Sequence, residues 1–146
     1  GGGMVLRRGE DRGAAGRGLR PVRLLLDSHA LLWALTAPDN LSVVAAREIR
    51  SAANSVWFSP ASVWELEIKR AQGKLDLPDD WLDAVERSRF VELPIRSSHA
   101  ALAGRLPWHH RDPFDRMLIA QSLVENLRLV TRDRFAAAYG ATLLEA

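Results

Sequence analysis

The sequence predicts an α/β fold in which helices cover both faces of a mostly parallel sheet. Short apolar runs of strand length alternate along the chain with longer amphipathic segments, and this alternation is typical of strands joined by helical crossovers. The 146 residues, 47% of them hydrophobic, suffice for one compact domain. Since such sheets bind ligands beyond the carboxyl ends of their strands, we expect a functional site at that edge.

Five β-prone runs supply the predicted strands. Each is too short for a helix and is bounded by a turn-forming or capping residue. The predicted strands are residues 22–26, 56–58, 90–93, 127–131 and 141–144. The first is interrupted only by Arg23, so it is expected to be a buried strand that ends at Asp27.

The helices are predicted from capping residues and apolar spacing. Serine, aspartate or asparagine before an apolar segment marks a helix start, proline favours the first helical position, and glycine or asparagine marks an end. Ser59–Pro60 and Asp112–Pro113 are the clearest starts. The predicted helices are residues 30–35, 42–53, 60–73, 79–89, 97–106, 113–126 and a short one at 134–139.

The N-terminal residues differ in composition from the rest. Residues 1–23 carry six arginines against two acids, a balance of +4, so the remaining residues carry −2 of the formal net charge of +2. Glycine- and arginine-rich sequence with few apolar residues does not offset its own ordering entropy. We therefore expect residues 1–21 to be a disordered basic leader, with Gly1–Gly3 typical of a cloning remnant, and residues 22–146 to form the domain.

Composition also restricts the chemistry and the location. The chain has no cysteine, which excludes disulfides and thiolate metal sites and leaves carboxylates, imidazoles and carbonyls as candidate ligands. No apolar run approaches the roughly 20 residues that a membrane-spanning helix needs. A soluble, cytoplasmic protein without a membrane partner is expected.

Four acids fall where the carboxyl edge of the predicted sheet lies. Asp27 and Asp133 follow the first and fourth strands, Glu65 lies early in the helix after the second strand, and Asp115 lies in the first turn of the helix before the fourth. Carboxylates brought together repel one another unless a cation neutralises them. Oxygen ligands suit Mg2+ or Mn2+, so the sequence predicts a metal site formed by Asp27, Glu65, Asp115 and Asp133.

Simpler roles remain open for these acids and their neighbours. Asp27, Asp112 and Asp133 are placed to cap helices, and Glu65 has the i,i+4 spacing of an ion pair with Lys69. For Asp112 the cap is the preferred interpretation. The pair His109–His110 is a weak indication of zinc, with surface or indirect roles favoured, and Ser28–His29 lacks the glycine-flanked nucleophile of a hydrolytic triad.

Several stretches resemble one known family. The segments are Leu24–Trp33 around Asp27, Ser62–Leu75 around Glu65, His110–Gln121 with the string Asp-Pro-Phe-Asp-Arg, and Leu129–Asp133. In this order they resemble the acidic motifs of PIN-domain ribonuclease toxins of the VapC type, over about residues 22–144. The resemblance implies a PIN-like three-layer α/β/α fold with about five strands.

The resemblance also implies an activity and partners. Expected are Mg2+- or Mn2+-dependent endoribonuclease activity, the toxin role in a type II toxin–antitoxin pair, a cognate antitoxin and a homodimer. The four acids match the metal-binding positions, and Thr131 is a candidate for supporting a ligand. Candidate contacts to RNA phosphate or to the ligands are Asp112, Lys69, Arg111, Arg116, Arg132 and Arg134, and candidate antitoxin contacts, more typical of core positions, are Leu32, Trp33 and Trp64.

Two other functions are weighed against this one. A phosphoacceptor signalling domain would share the parallel sheet, but no adjacent acid pair closes the first strand and no lysine closes a late one. A catalytically silent PIN module that only binds RNA or protein is the stronger alternative. The presence of all four acids favours the nuclease.

Overall fold

The computed structural model of the chain describes residues 21–146 and contains one parallel sheet of five strands. The strands are β1 (Arg23–Leu26), β2 (Ser55–Phe58), β3 (Val91–Glu92), β4 (Arg128–Thr131) and β5 (Leu143–Glu145). Their order across the sheet is β3-β2-β1-β4-β5, and every neighbouring pair is parallel. The predicted basic leader lies, apart from Pro21, outside the described residues and remains a prediction.

Helices connect these strands. They are α1 (Ser28–Thr36), α2 (Val43–Arg50), α3 (Pro60–Ala71), α4 (Trp81–Arg87), α5 (Ser97–Arg105) and α6 (Pro113–Glu125), with short 3-10 turns at Pro38–Asn40 and Arg134–Tyr139. Local sequence sets most of the helix starts. Ser42, Ser59 and Asp112 each accept a hydrogen bond from a backbone N–H in the first turn of their helix, as their cap positions predict.

Two apolar clusters cover the two faces of the sheet, which gives the three layers. One cluster contains Leu24 and Leu26 of β1 with α1, α2 and α4, and the other contains Leu25 with Leu118 and Ile119 of α6. Successive residues of β1 point to opposite faces, and all three leucines are fully buried. The continuous apolar run at residues 24–26 is therefore explained by a central strand that is buried on both faces.

The predicted fold class is confirmed, and the differences concern element ends. The short helix predicted at residues 134–139 is a 3-10 helix, and Arg96 is the N-cap of α5. The predicted helix 42–53 ends at Arg50, because Ser51 adopts an extended backbone and the Asn54 amide donates to the Glu48 carbonyl at 2.9 Å. Within residues 21–146, no helix has the length and apolarity to span a bilayer.

Strand order decides where a ligand can bind. The chain moves from β1 outward through β2 to β3, then returns to the other side of β1 for β4 and β5. Helices that connect strands on the two sides of such a reversal diverge and leave a crevice at the carboxyl ends of the two central strands. Here those strands are β1 and β4, and Asp27 and Asp133 follow them.

Candidate metal centre

Asp27 and Asp133 enter the site from neighbouring strands. Leu26 of β1 is in register with Val130 of β4, and the Asp27 N–H continues the pairing by donating to the Val130 carbonyl at 3.1 Å. Asp27 is 7% exposed, and its Oδ1 accepts the Ala30 N–H at 2.7 Å. The Asp133 N–H donates to Thr131 Oγ1 at 2.9 Å. These hydrogen bonds fix both residues at the crevice.

Glu65 and Asp115 complete the acidic group from the flanking helices. Burial and, to a smaller extent, the negative charges of Asp112, Glu65 and Asp27 raise the pKa of Asp115 to about 7, against the lowering effect of His110. Burial also raises the pKa of Asp27, with a smaller contribution from Glu65. Asp27, Glu65 and Asp115 therefore lie within range of one another's electrostatic effects. Asp133 joins them, because one small cavity is lined by Asp27, Asp115, Thr131 and Asp133.

His110 connects two of these acids. Its Nε2 lies 2.9 Å from Asp115 Oδ2 and 2.5 Å from Asp133 Oδ2. Its Nδ1 accepts a hydrogen bond from the Asp112 N–H at 3.2 Å, so a neutral imidazole carries its proton on Nε2. That Nε2–H donates a hydrogen bond shared by the two carboxylates. The expected surface or indirect role of His110 therefore has a specific form, which is a hydrogen-bonded bridge between Asp115 and Asp133.

The loop that carries His110 is clamped by residues that no sequence motif connects with it. The His110 N–H donates to Tyr139 Oη at 2.7 Å, and the Tyr139 hydroxyl donates to the Pro107 carbonyl at 2.7 Å. Both contacts join residues about thirty positions apart in the chain. No local pattern in the sequence indicates such a contact.

The capping interpretations of the acids are correct as well. Asp112 accepts the Asp115 N–H at 3.0 Å, and Asp133 accepts the Phe135 N–H at 2.9 Å. Asp27 caps α1 through the Ala30 N–H. Capping occupies Oδ1 of Asp27 and of Asp133, and Asp133 Oδ2 lies against His110 Nε2, so a metal ion would replace His110 as the partner of that oxygen. Capping and metal binding are therefore compatible in these two residues.

Arg116 is a correction to the predicted phosphate contacts. The side chain is 4% exposed, and its guanidinium donates at 2.7–3.0 Å to the carbonyls of Ala103, Leu106, Pro107 and His110. The Trp108 ring covers it at 4.0 Å. A buried guanidinium with four hydrogen bonds to backbone carbonyls is not available to RNA, because it closes the loop between α5 and α6.

The other polar residues that were predicted to contact RNA or the metal ligands lie in different environments. Lys69 pairs with Glu65 at 3.3 Å. Arg132 Nε donates to the Ala146 carbonyl at 3.0 Å, and its guanidinium stacks on Trp33 at 4.3 Å. Arg111 and Arg134 are exposed. Ser28 is buried, which argues against the hydrolytic triad.

The donor set fits a hard divalent cation. One atom each from His110, Asp115 and Asp133 lie within 4.8 Å of one another. Asp27 adds a buried carboxylate to the same cavity, and burial without a neutralising partner disfavours its ionised form. A cation would remove this penalty and the repulsion among the acids. The arrangement can therefore hold a metal ion through Asp27, Asp115 and Asp133, with Glu65 beside them.

A pH dependence of stability follows from the raised pKa of Asp115. An unfolded aspartate titrates near 3.9, so the protonated folded form contributes stability below that pH, and this contribution is lost as pH rises through about 7. We expect the melting temperature of the EDTA-treated protein, relative to an Asp115→Asn variant, to fall between pH 5 and pH 8. Differential scanning calorimetry on both proteins measures this, and parallel pH profiles would contradict it.

Comparisons with known proteins agree with this geometry. The family model described as PIN domain matches residues 24–141. Ribonuclease VapC22 of Mycobacterium tuberculosis is 38% identical over 119 residues, which cover 76% of this chain and 87% of that protein. Among solved structures, DNA-bound VapBC2 from Rickettsia felis matches with a TM-score of 0.64 at 15% identity, over 84% of this chain and 98% of that one. DNA-bound VapBC from Salmonella typhimurium matches with a TM-score of 0.61 at 19% identity, over 85% and 97%.

Proposed function

The chain belongs to the PIN domain family, and on this premise we propose that it is a metal-dependent endoribonuclease that acts as the toxin of a type II toxin–antitoxin pair. The observation that carries the proposal is the convergence of carboxylates from separate segments on one crevice at the carboxyl ends of β1 and β4. The similarity to Ribonuclease VapC22 supports RNA as the substrate.

We propose Mg2+ or Mn2+ as the cofactor. Asp27, Asp115 and Asp133 would hold the ion, with Glu65 as a further ligand or as a ligand to a water. When bound, such a cation polarises a phosphate group and makes water a better nucleophile near neutral pH. Carboxylate oxygens suit both ions, and these ions commonly share their coordination between a few carboxylates, waters and substrate phosphate.

The residues of the chain position the reacting groups. The Ala30 N–H and the Thr131 hydroxyl hold Asp27, since both hydrogen bonds favour its ionised form. Lys69 lies beside Glu65 and would balance part of the negative charge that otherwise repels a phosphate. Arg111 and Arg134 are exposed next to the acidic positions in the chain and are candidate phosphate contacts.

His110 gives a test of how the empty and loaded sites differ. Its Nε2–H bridges Asp115 and Asp133, so we expect His110→Ala to destabilise the EDTA-treated protein by about 1 kcal/mol. The effect should shrink when Mn2+ is present, because the cation then holds both carboxylates. Urea denaturation with and without Mn2+ measures the free energy of unfolding in each state. His109→Ala, a substitution of the neighbouring histidine, is the control. A variant as stable as the parent in EDTA would contradict the bridging role.

We also propose a cognate antitoxin as a protein partner, a homodimer and a cytoplasmic location. The solved VapBC assemblies support the partner by analogy. The Trp33 and Leu32 side chains are half-buried against the core, whereas Trp64 is exposed, contrary to the preferred core interpretation. Coexpression with the neighbouring open reading frame, followed by size-exclusion chromatography with light scattering, measures both the complex and the dimer.

A cleavage assay tests the function directly. The purified chain is incubated with total cellular RNA in Mg2+, in Mn2+ and in EDTA, and the ends of the products are mapped. Internal cuts that need either metal would support the endoribonuclease. RNA binding without cleavage in any metal would instead favour the catalytically silent PIN module.

A further inference from the structure

Two aromatic side chains lie next to acids of the candidate centre in the chain. Trp64 directly precedes Glu65 in α3, and Phe114 directly precedes Asp115 in α6. Their ring centroids lie 5.2 Å apart at an interplanar angle of 77°, an edge-to-face contact that joins the two helices. The pair is therefore fixed to the same helical segments that carry two of the acids. We call it the Trp64–Phe114 platform.

The exposure of Trp64 is not explained by folding. The side chain is 65% exposed, so most of its apolar area contributes nothing to the core. A large exposed aromatic group next to a polar site is typical of a binding surface. Trp64 is the one exposed large apolar side chain of α3, so the apolar surface that this helix presents to solvent is small. Such a surface fits one flat ring better than an apolar protein segment.

We propose that the Trp64–Phe114 platform stacks an unpaired base of the RNA substrate next to the scissile phosphate. The inference rests on the proposed function and adds to it a contact that holds a base of the substrate beside the site of cleavage. A phosphate held at the acidic centre brings the bases of the adjoining nucleotides to its border. An unpaired base can turn outward and stack on an aromatic ring, whereas a paired base stays inside its helix.

A further exposed aromatic residue supports the same interpretation. Phe135 is 62% exposed, follows Asp133 by two positions, and has its ring 5.9 Å from that of His110. Phe135 thus lies on the β4 side of the centre, whereas the platform lies on α3 and α6, the helices that carry Glu65 and Asp115. Aromatic groups at separate borders of one phosphate site would give a strand stacking contacts with more than one of its bases.

Binding measurements on matched variants test the platform. The background is Asp27→Asn, which we expect to bind RNA without cutting it, and the probe is a fluorescein-labelled unstructured RNA followed by anisotropy. We expect W64L, which keeps apolar bulk but lacks a π face, to weaken binding about tenfold, and W64F to bind within about threefold of the parent. L82A, at an exposed apolar position of α4, is the control and should bind as the parent does.

Each result decides the proposal. Weaker binding of single-stranded RNA by W64L, with unchanged binding of the same RNA annealed to its complement, supports the platform. Equal losses for both RNAs, or no loss for either, overturn it. Loss of the coexpressed antitoxin from W64L with unchanged RNA binding also overturns it and assigns the surface to a protein. Absence of metal-dependent cleavage by the unsubstituted chain would overturn the proposed function instead, and that assay does not involve Trp64.

Discussion

Asp27→Asn and Asp115→Asn should each lower the rate of RNA cleavage at least 100- to 1000-fold while leaving the fold intact. Each change removes a charge that would bind the cation, and preorganised electrostatic groups at a reacting centre commonly contribute effects of this size. Asparagine keeps the side-chain shape and still accepts the Ala30 N–H as a helix cap at position 27. Single-turnover cleavage of a labelled RNA at saturating Mn2+ measures the loss.

Stability separates this loss from misfolding. Burial and the neighbouring acids disfavour the ionised forms of Asp27 and Asp115, so neutral asparagine should leave the metal-free protein at least as stable as the parent. Metal should then stabilise the variants less than the parent, because a ligand is missing. Asp80→Asn, an exposed acid at the start of α4, is the control. If either site variant cleaved RNA at the parent rate, that residue would not be part of the proposed metal centre.

The sequence predicts most of this fold because its local and global patterns agree. The strand at residues 23–26 is a continuous apolar run, and the structure buries its leucines on both faces of the sheet. Ser59–Pro60 and Asp112–Pro113 begin helices as their capping chemistry requires. Strand ends do not follow from the sequence in the same way, since Val91–Glu92 is only two residues long and is fixed by pairing with β2 rather than by its own residues.

The acids of the candidate site could be predicted from the sequence, but the hydrogen bonds that hold them in place could not. Asp27, Glu65, Asp115 and Asp133 follow from their positions relative to predicted strands and helices, because parallel strands place their carboxyl ends at one edge. The contacts of His110 depend on loop geometry. They bring together Tyr139, Asp133 and Asp115 from different elements, and nothing in residues 107–112 specifies those partners. Sequence spacing likewise does not distinguish a buried arginine from an exposed one.

Arg116→Ala should lower the free energy of unfolding by about 3 kcal/mol or more, a larger loss than we expect from His110→Ala. The guanidinium is buried and donates to four backbone carbonyls of the segment that joins α5 to α6. Each buried acceptor left without a donor costs about 1–3 kcal/mol, reduced where water can enter. Stacking on Trp108 at 4.0 Å is lost as well. Equilibrium urea denaturation measures the free energy of unfolding.

Arg116→Lys distinguishes the loss of charge from the loss of geometry. An ammonium keeps the charge but has three donors on a flexible stem, so it cannot reproduce the planar set of bonds to Ala103, Leu106, Pro107 and His110. We expect the lysine variant to lose at least half as much stability as the alanine variant. Because the same loop carries His110 and Asp112, both variants should also bind Mn2+ more weakly, which isothermal titration calorimetry measures. If Arg116→Ala were as stable as the parent, other contacts would hold this loop. If its Mn2+ affinity equalled that of the parent, the loop would not contribute to the metal centre.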